Sequence, residues 1–175
     1  MISLPRDYFE FFDLPHNLAI DLKDLEKRFY ALSRELHPDR FARRSAAERE
    51  RALEDSATLN DAYRTLRDPI ARALYLLKRE GFDIGEQGSK DVPPELLEEM
   101  FELNMAIEEA DAPQLEASLQ RFEKMREALD SELQARFAEW DASHSREALT
   151  AVRGVLNRRK YITNLIDKTN VPDRV

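Results

Sequence analysis

The positions of the prolines limit what this chain can fold into more than any other feature. All eight, Pro5, Pro15, Pro38, Pro69, Pro93, Pro94, Pro113 and Pro172, fall where a helix would start or stop. Proline lacks an amide hydrogen and clashes with the preceding turn, so it bounds helices and is excluded from their interiors. Between these points apolar residues recur with helical period, and runs alternating like a strand are few. The expectation is an all-α protein, with room in 175 residues for one or two small domains.

In the first half, Leu22, Leu25, Phe29, Leu32 and Leu36 follow in steps of three and four and share one helix face. Pro38 disfavours the α conformation of the residue before it, so the chain must turn at His37. A second run carries Ala52, Ser56, Leu59, Tyr63 and Leu66 on a face able to pack against the first. The two helices pinch a loop that displays an imidazole and a carboxylate, His37-Pro38-Asp39. A basic stretch follows, Arg40-Phe41-Ala42-Arg43-Arg44. On an ideal helix Lys23, Lys27 and Arg34 lie together almost opposite the apolar stripe, with Asp24, Glu26 and Glu35 to the sides. A narrow positive line therefore leads to His37 and Asp39.

The net charge of -8 is unevenly spread. Residues 1–80 hold fifteen basic and fifteen acidic side chains, and residues 81–175 hold twelve and twenty. A nucleic-acid partner calls for a basic surplus, which weighs against a regulator binding through Arg40, Arg43 and Arg44. The three histidines, His16, His37 and His144, stand apart in sequence, with no readable triad or metal-ligand spacing. That weighs against a small helical enzyme and against a metal site. No run of eighteen apolar residues, signal peptide or transit segment is legible, so the expectation is a soluble, internal protein without a membrane partner.

Gly81, Gly85 and Gly88, then Ser89 and Pro93-Pro94, mark a domain boundary. It divides the chain into a domain over 1–79, a linker over 80–93 in which Phe82 and Ile84 pack in part, and a domain over 94–175. Three helices are expected in the last, over about 93–110, 113–140 and 145–168, the second about 40 Å long at 1.5 Å per residue. The second carries Leu115, Leu119, Phe122, Met125, Leu129, Leu133, Phe137 and Trp140 in one stripe, and the third Val152, Val155, Ile162 and Ile166. Such stripes must cover one another, which predicts an antiparallel bundle. Gly154 inside the third helix costs about 1 kcal/mol against Ala, and close helix contact is the expected compensation.

The first of these helices has too much apolar surface. Leu96, Met100, Leu103 and Ile107 face the core, while Leu97, Phe101 and Met105 form a second stripe. Eight acids and no bases lie between Asp91 and Asp111, so the second stripe is an apolar strip flanked by negative charge. Such a strip marks a protein contact. Tyr161, after Arg158, Arg159 and Lys160, also points away from the main apolar face of its helix.

These residues carry a resemblance. Tyr8-Phe9-Glu10-Phe11-Phe12, Leu14-Pro15, His37-Pro38-Asp39, and then Ala57, Asn60, Ala62-Tyr63 and Leu66 resemble the J domain of DnaJ-like co-chaperones. Asp68-Pro69-Ile70-Ala71-Arg72-Ala73, Tyr75-Leu76-Leu77 and Gly81-Phe82-Asp83 narrow it to the HscB family, the J-type co-chaperones of iron-sulfur cluster assembly, over nearly the whole chain. The resemblance implies a J domain, a helical hairpin with the HPD loop, joined by a short hinge to a C-terminal three-helix bundle. It implies that His37, Pro38, Asp39, Lys23, Lys27, Arg34 and Arg40 meet a DnaK-type chaperone ATPase (HscA-like) and stimulate its hydrolysis. It further implies that Leu97, Phe101, Glu102, Met105 and Tyr161 bind an iron-sulfur scaffold protein (IscU-like). With no cysteine the chain cannot hold a cluster by four thiolates, so any cluster belongs to a partner and no cofactor is expected. Some family members carry a Cys-rich N-terminal segment that is not seen here, which points to a bacterial, cytoplasmic form or a processed form of the mitochondrial matrix. The HPD loop identifies the ATPase class and not the cargo, so a J-domain co-chaperone for a different client is the alternative.

Overall fold

A computed structural model describes residues 7–82 and 94–169, and these contain seven α-helices, a 3₁₀ turn and no strand. Gly85, Gly88, Ser89, Pro93 and Ile84 of the expected linker, with Pro5 and Pro172, lie outside the described residues, as do the side chains of Pro38 and Leu96. The chain divides into two compact units, Met1–Glu80 and Gly81–Val175.

The first unit opens with α1 (Tyr8–Phe11), capped by Asp7, whose carboxylate accepts from the amides of Phe9 and Glu10. Helix α2 (Leu22–Glu35) starts at Asp21 in the same way and buries Leu25. Leu22, expected on the buried stripe, is instead 49% exposed, because the first residue of the helix has no preceding turn beneath it. The 3₁₀ turn Pro38–Phe41 follows, and then α3 (Ala46–Arg67), which buries Ala52, Leu59, Ala62 and Leu66. A reciprocal box between Ser45 and Glu48 fixes the start of α3. Asp68 ends α3 and caps α4 (Pro69–Arg79), accepting from the Ala71 amide at 2.7 Å, with Pro69 where its missing amide costs nothing. The core is Phe9, Phe11, Phe12, Leu18 and Leu25 against Leu59, Leu66, Leu76 and Leu77.

Two arginines hold this unit together in ways periodicity does not foresee. Arg72 is only 5% exposed, yet its guanidinium donates to the carbonyl of Leu18 at 2.9 Å and to that of Leu66. It ties the loop before α2 to the end of α3. Arg28 donates to the carbonyls of Phe12 and Asp13 at 2.8 and 2.7 Å, holding a turn in which Asp13 has φ 51°.

The second unit contains α5 (Pro94–Glu108), α6 (Ala112–Ser143) and α7 (Arg146–Thr169). Asp111 and Gln114 box the start of α6, whose 32 residues span about 48 Å, longer than expected because it runs on past Trp140. It ends at His144, which takes the left-handed conformation (φ 48°), stacks on Trp140 with ring centroids 4.8 Å apart, and turns the chain into α7. Helices α6 and α7 form a long antiparallel hairpin, tied across by Arg159 and Asp130. Phe122, Leu129, Leu133, Phe137 and Trp140 face Val152, Val155, Leu156, Ile162 and Ile166 in its core. Leu115, Leu119 and Met125 of the expected stripe are only half-buried. Gly154 departs from expectation: it is exposed, and a Cβ there would meet nothing within 4 Å, so no helix contact offsets its cost. Phe82 is buried in this unit, with the Arg146 guanidinium 4.5 Å over its ring. Helix α5 packs on α7 and buries Leu103 and Ile107, and the two helices run parallel, as an up-down-up order requires.

Candidate functional site

The first candidate surface forms where α2 ends. Leu36 closes the helix by donating to the Leu32 carbonyl at 2.9 Å, and His37 is extended (φ -60°, ψ 127°), as the following proline demands. The His37 Nδ1 accepts from the Asp39 amide at 3.3 Å, so the imidazole caps the 3₁₀ turn. The Asp39 carboxylate sits 3.6 Å from the same nitrogen, outside hydrogen-bonding range. Asp39 itself is 91% exposed, a carboxylate displayed to solvent by the capped turn.

Lys23, Lys27 and Arg34 are all exposed along α2, as their projection on one face predicts. Arg40 behaves differently: its Nη1 donates to the Arg34 carbonyl at 3.3 Å, a cation placed at the negative end of α2. It braces the loop as well as charging it. Tyr30, three residues after Lys27 and four before Arg34, lies on the same line and is 55% exposed. Its spacing from those cations is visible in the sequence, where charge alone does not single it out.

The second candidate surface is α5. Leu97, Phe101 and Met105 are 48%, 67% and 38% exposed, while Leu103 and Ile107 of the same helix are buried. The two stripes thus separate as their angles require, and Glu98 and Glu102 stand exposed beside the outer one. Met100 is half-buried.

Tyr161 does not stand free beside this strip. Its hydroxyl donates to the Met100 carbonyl at 2.6 Å and accepts from the Asn104 amide group at 2.5 Å. Asn104 also donates to the Met100 carbonyl at 3.0 Å, and its own carbonyl accepts from Lys168 at 3.2 Å. Arg158 pairs with Glu99 at 2.7 Å, and Lys168 with Glu108 at 3.2 Å. A polar seam therefore joins α5 to α7 along the edge of the exposed strip. Burial pushes the Tyr161 phenol above its usual range, against the opposing donation from Asn104, with Glu99 adding to the rise. The hydroxyl stays protonated and able to donate.

Asp7, Glu10 and His16, distant from both surfaces in sequence, bring their ligand-type atoms within 4.8 Å of one another. Asp7 is already engaged by Arg79, by two amides of α1 and by His16 Nε2 at 3.2 Å. The Tyr8 and Tyr75 rings stack beside them, 4.5 Å apart. Asp7 clasps α1 onto α4, and its carboxylate oxygens are spent on protein donors.

Comparison with known proteins places both units. A model of the DnaJ domain matches residues 7–75, and a model of the HSCB C-terminal oligomerisation domain matches residues 92–170. The human iron-sulfur cluster co-chaperone protein HscB is 32% identical over 167 residues, which cover 93% of this chain and 67% of that protein. A co-chaperone protein HscB homolog of Burkholderia thailandensis is 33% identical over 160 residues, covering 89% of this chain and 90% of the relative. Among solved structures, chaperone HscB from Vibrio cholerae superposes with a TM-score of 0.66 at 31% identity, covering 93% of this chain and 94% of the other. The crystal structure of human co-chaperone protein HscB gives 0.73 at 29% identity, covering 96% and 82%.

Proposed function

The chain belongs to the HscB family of J-domain co-chaperones of iron-sulfur cluster assembly, and from that footing we propose that it is a two-ended adaptor. Its second unit binds an iron-sulfur scaffold protein of the IscU type. Its first unit delivers that scaffold to a DnaK-type chaperone ATPase of the HscA type and stimulates hydrolysis there. These encounters belong to the cytoplasm in a bacterial cell, or to the mitochondrial matrix for a processed eukaryotic form. The hydrolytic chemistry is the partner's.

One observation carries this reading: a capped HPD turn with an exposed Asp39 carboxylate and an acid-flanked apolar strip, Leu97-Phe101-Met105, occur in the same chain. The carboxylate suits a charge-assisted bond to a basic group of the ATPase. Lys23, Lys27 and Arg34 supply attraction that weakens as salt rises. Pro38 keeps the turn short, and His37 holds it by its bond to the Asp39 amide. On the other unit the strip gives apolar area for the scaffold, and Glu102 gives charge selection at the rim. Joining both ends in one chain turns the second encounter into an effectively intramolecular one.

Pull-down with an IscU-type scaffold tests the cargo end. Replacing Leu97 and Phe101 by Ser weakens capture without unfolding the second unit, since both side chains are already exposed. Unchanged capture removes the strip from the binding surface and leaves a J-domain co-chaperone for another client.

A further inference from the structure

Tyr161 is half-buried, and its hydroxyl is spent on α5. The carbonyl it bonds, that of Met100, belongs to the peptide unit that leads into Phe101, the most exposed of the large apolar side chains among the described residues. Asn104 bonds the same carbonyl and the same hydroxyl, and Lys168 holds Asn104 from the far side. Two side chains, Tyr161 and Asn104, thus converge on one peptide group of the exposed strip, and Lys168 holds one of the two. Among the described side chains α5 buries Leu103 and Ile107. The polar bonds from α7 add to these in fixing the rotation of α5 about its own axis.

From this geometry we infer that Tyr161, with Asn104 and Lys168, is a positioning residue for the client surface: its hydroxyl sets the rotation of α5 that presents Phe101. The inference rests on the reading of Leu97, Phe101 and Met105 as the scaffold-binding strip. It differs from a role in which the Tyr161 ring itself touches the scaffold. A contact residue needs its ring and can dispense with its hydroxyl; a positioning residue of this kind needs the hydroxyl. Pre-set side chains bind more tightly because less freedom is lost on association.

The test is a double-mutant cycle on the full-length chain, read by calorimetric titration with a purified IscU-type scaffold protein. Tyr161→Phe keeps the ring and removes the bond to Met100; it weakens binding about tenfold, the worth of one well-made hydrogen bond. In a Phe101→Ala background, or Phe101→Leu where the former binds too weakly to measure, the same change has an effect of twofold or less. Asn104→Ala reproduces the loss, while thermal unfolding shows each variant folded at the titration temperature. Unchanged affinity in Tyr161→Phe overturns the inference, and so does an equal loss in both backgrounds, which makes Tyr161 an independent contact or a general brace. Full affinity in Phe101→Ala overturns the strip assignment beneath it, a failure distinct from the other two.

Discussion

Phe29 of α2 and Tyr63 of α3 stack with ring centroids 4.2 Å apart and planes 20° from parallel. The contact lies along the shaft of the hairpin, away from the HPD turn, and sets how the helices that carry the turn meet. Both residues are half-buried, so the stack stabilises by less than a full core aromatic. Tyr63→Ala is expected to cost about 2–3 kcal/mol in urea denaturation followed by circular dichroism. Tyr63→Phe preserves the stack and stays close to the parent. A loss under about 0.5 kcal/mol for Tyr63→Ala contradicts this role.

Arg72 supplies a second test of the first unit. Its guanidinium serves the carbonyls of Leu18 and Leu66 from a buried position. Arg72→Met keeps much of the volume but leaves both acceptors without this donor, for an expected loss of about 2–4 kcal/mol. Arg72→Lys recovers only part, since one ammonium does not reproduce the planar fork. Equal stability of Arg72→Met and the parent would remove the clamp from the picture.

Gly154 predicts a gain. It lies exposed inside α7, and a Cβ there meets nothing within 4 Å. Gly154→Ala therefore stabilises by up to about 1 kcal/mol through helix propensity, raising the melting temperature by a few degrees. Scaffold affinity stays unchanged. A lower melting temperature would show a contact that the structure does not contain.

Glu48 gives a pH test of a helix start. Its carboxylate accepts from the hydroxyl of Ser45 at 2.7 Å and from the Ser45 amide at 3.0 Å, and these bonds, the hydroxyl first, hold its pKa below the ordinary value. A depressed carboxyl pKa means that the cap is fully present above the unfolded-state value and is lost as pH falls through the folded one. The Ser45 amide resonance should titrate with a midpoint below that of an exposed glutamate. Glu48→Gln keeps the box and abolishes the titration. A midpoint at or above the ordinary glutamate value contradicts the box.

What could be read in the sequence follows from what periodicity encodes. Spacing tells which face of a helix turns inward, so the separation of Leu97, Phe101 and Met105 from Leu103 and Ile107 was legible, as were the breaks at Pro38 and Pro69. Spacing does not tell which distant group a side chain meets. Arg72 looks like a polar residue intruding on an apolar run until Leu18, far away in sequence, supplies its acceptor. Tyr161 looks like an outward aromatic until Met100 takes its hydroxyl. His16 stands apart in the sequence and meets Asp7 only when α1 and its following loop fold back. Gly154 departs from expectation for the opposite reason: a glycine in a helix suggests close packing, and here a Cβ would meet nothing within 4 Å.

The most direct measurement is the rate of ATP hydrolysis by a DnaK-type, HscA-like chaperone, with this chain present and with or without an IscU-type scaffold. The intact chain should stimulate hydrolysis, and more strongly when the scaffold is added. His37→Gln should abolish the stimulation while scaffold capture persists, because His37 belongs to the HPD turn and not to the acid-flanked strip of α5. Full stimulation by His37→Gln would contradict the assignment of the turn to the ATPase. No stimulation by the intact chain, with scaffold present, would contradict the adaptor function as a whole.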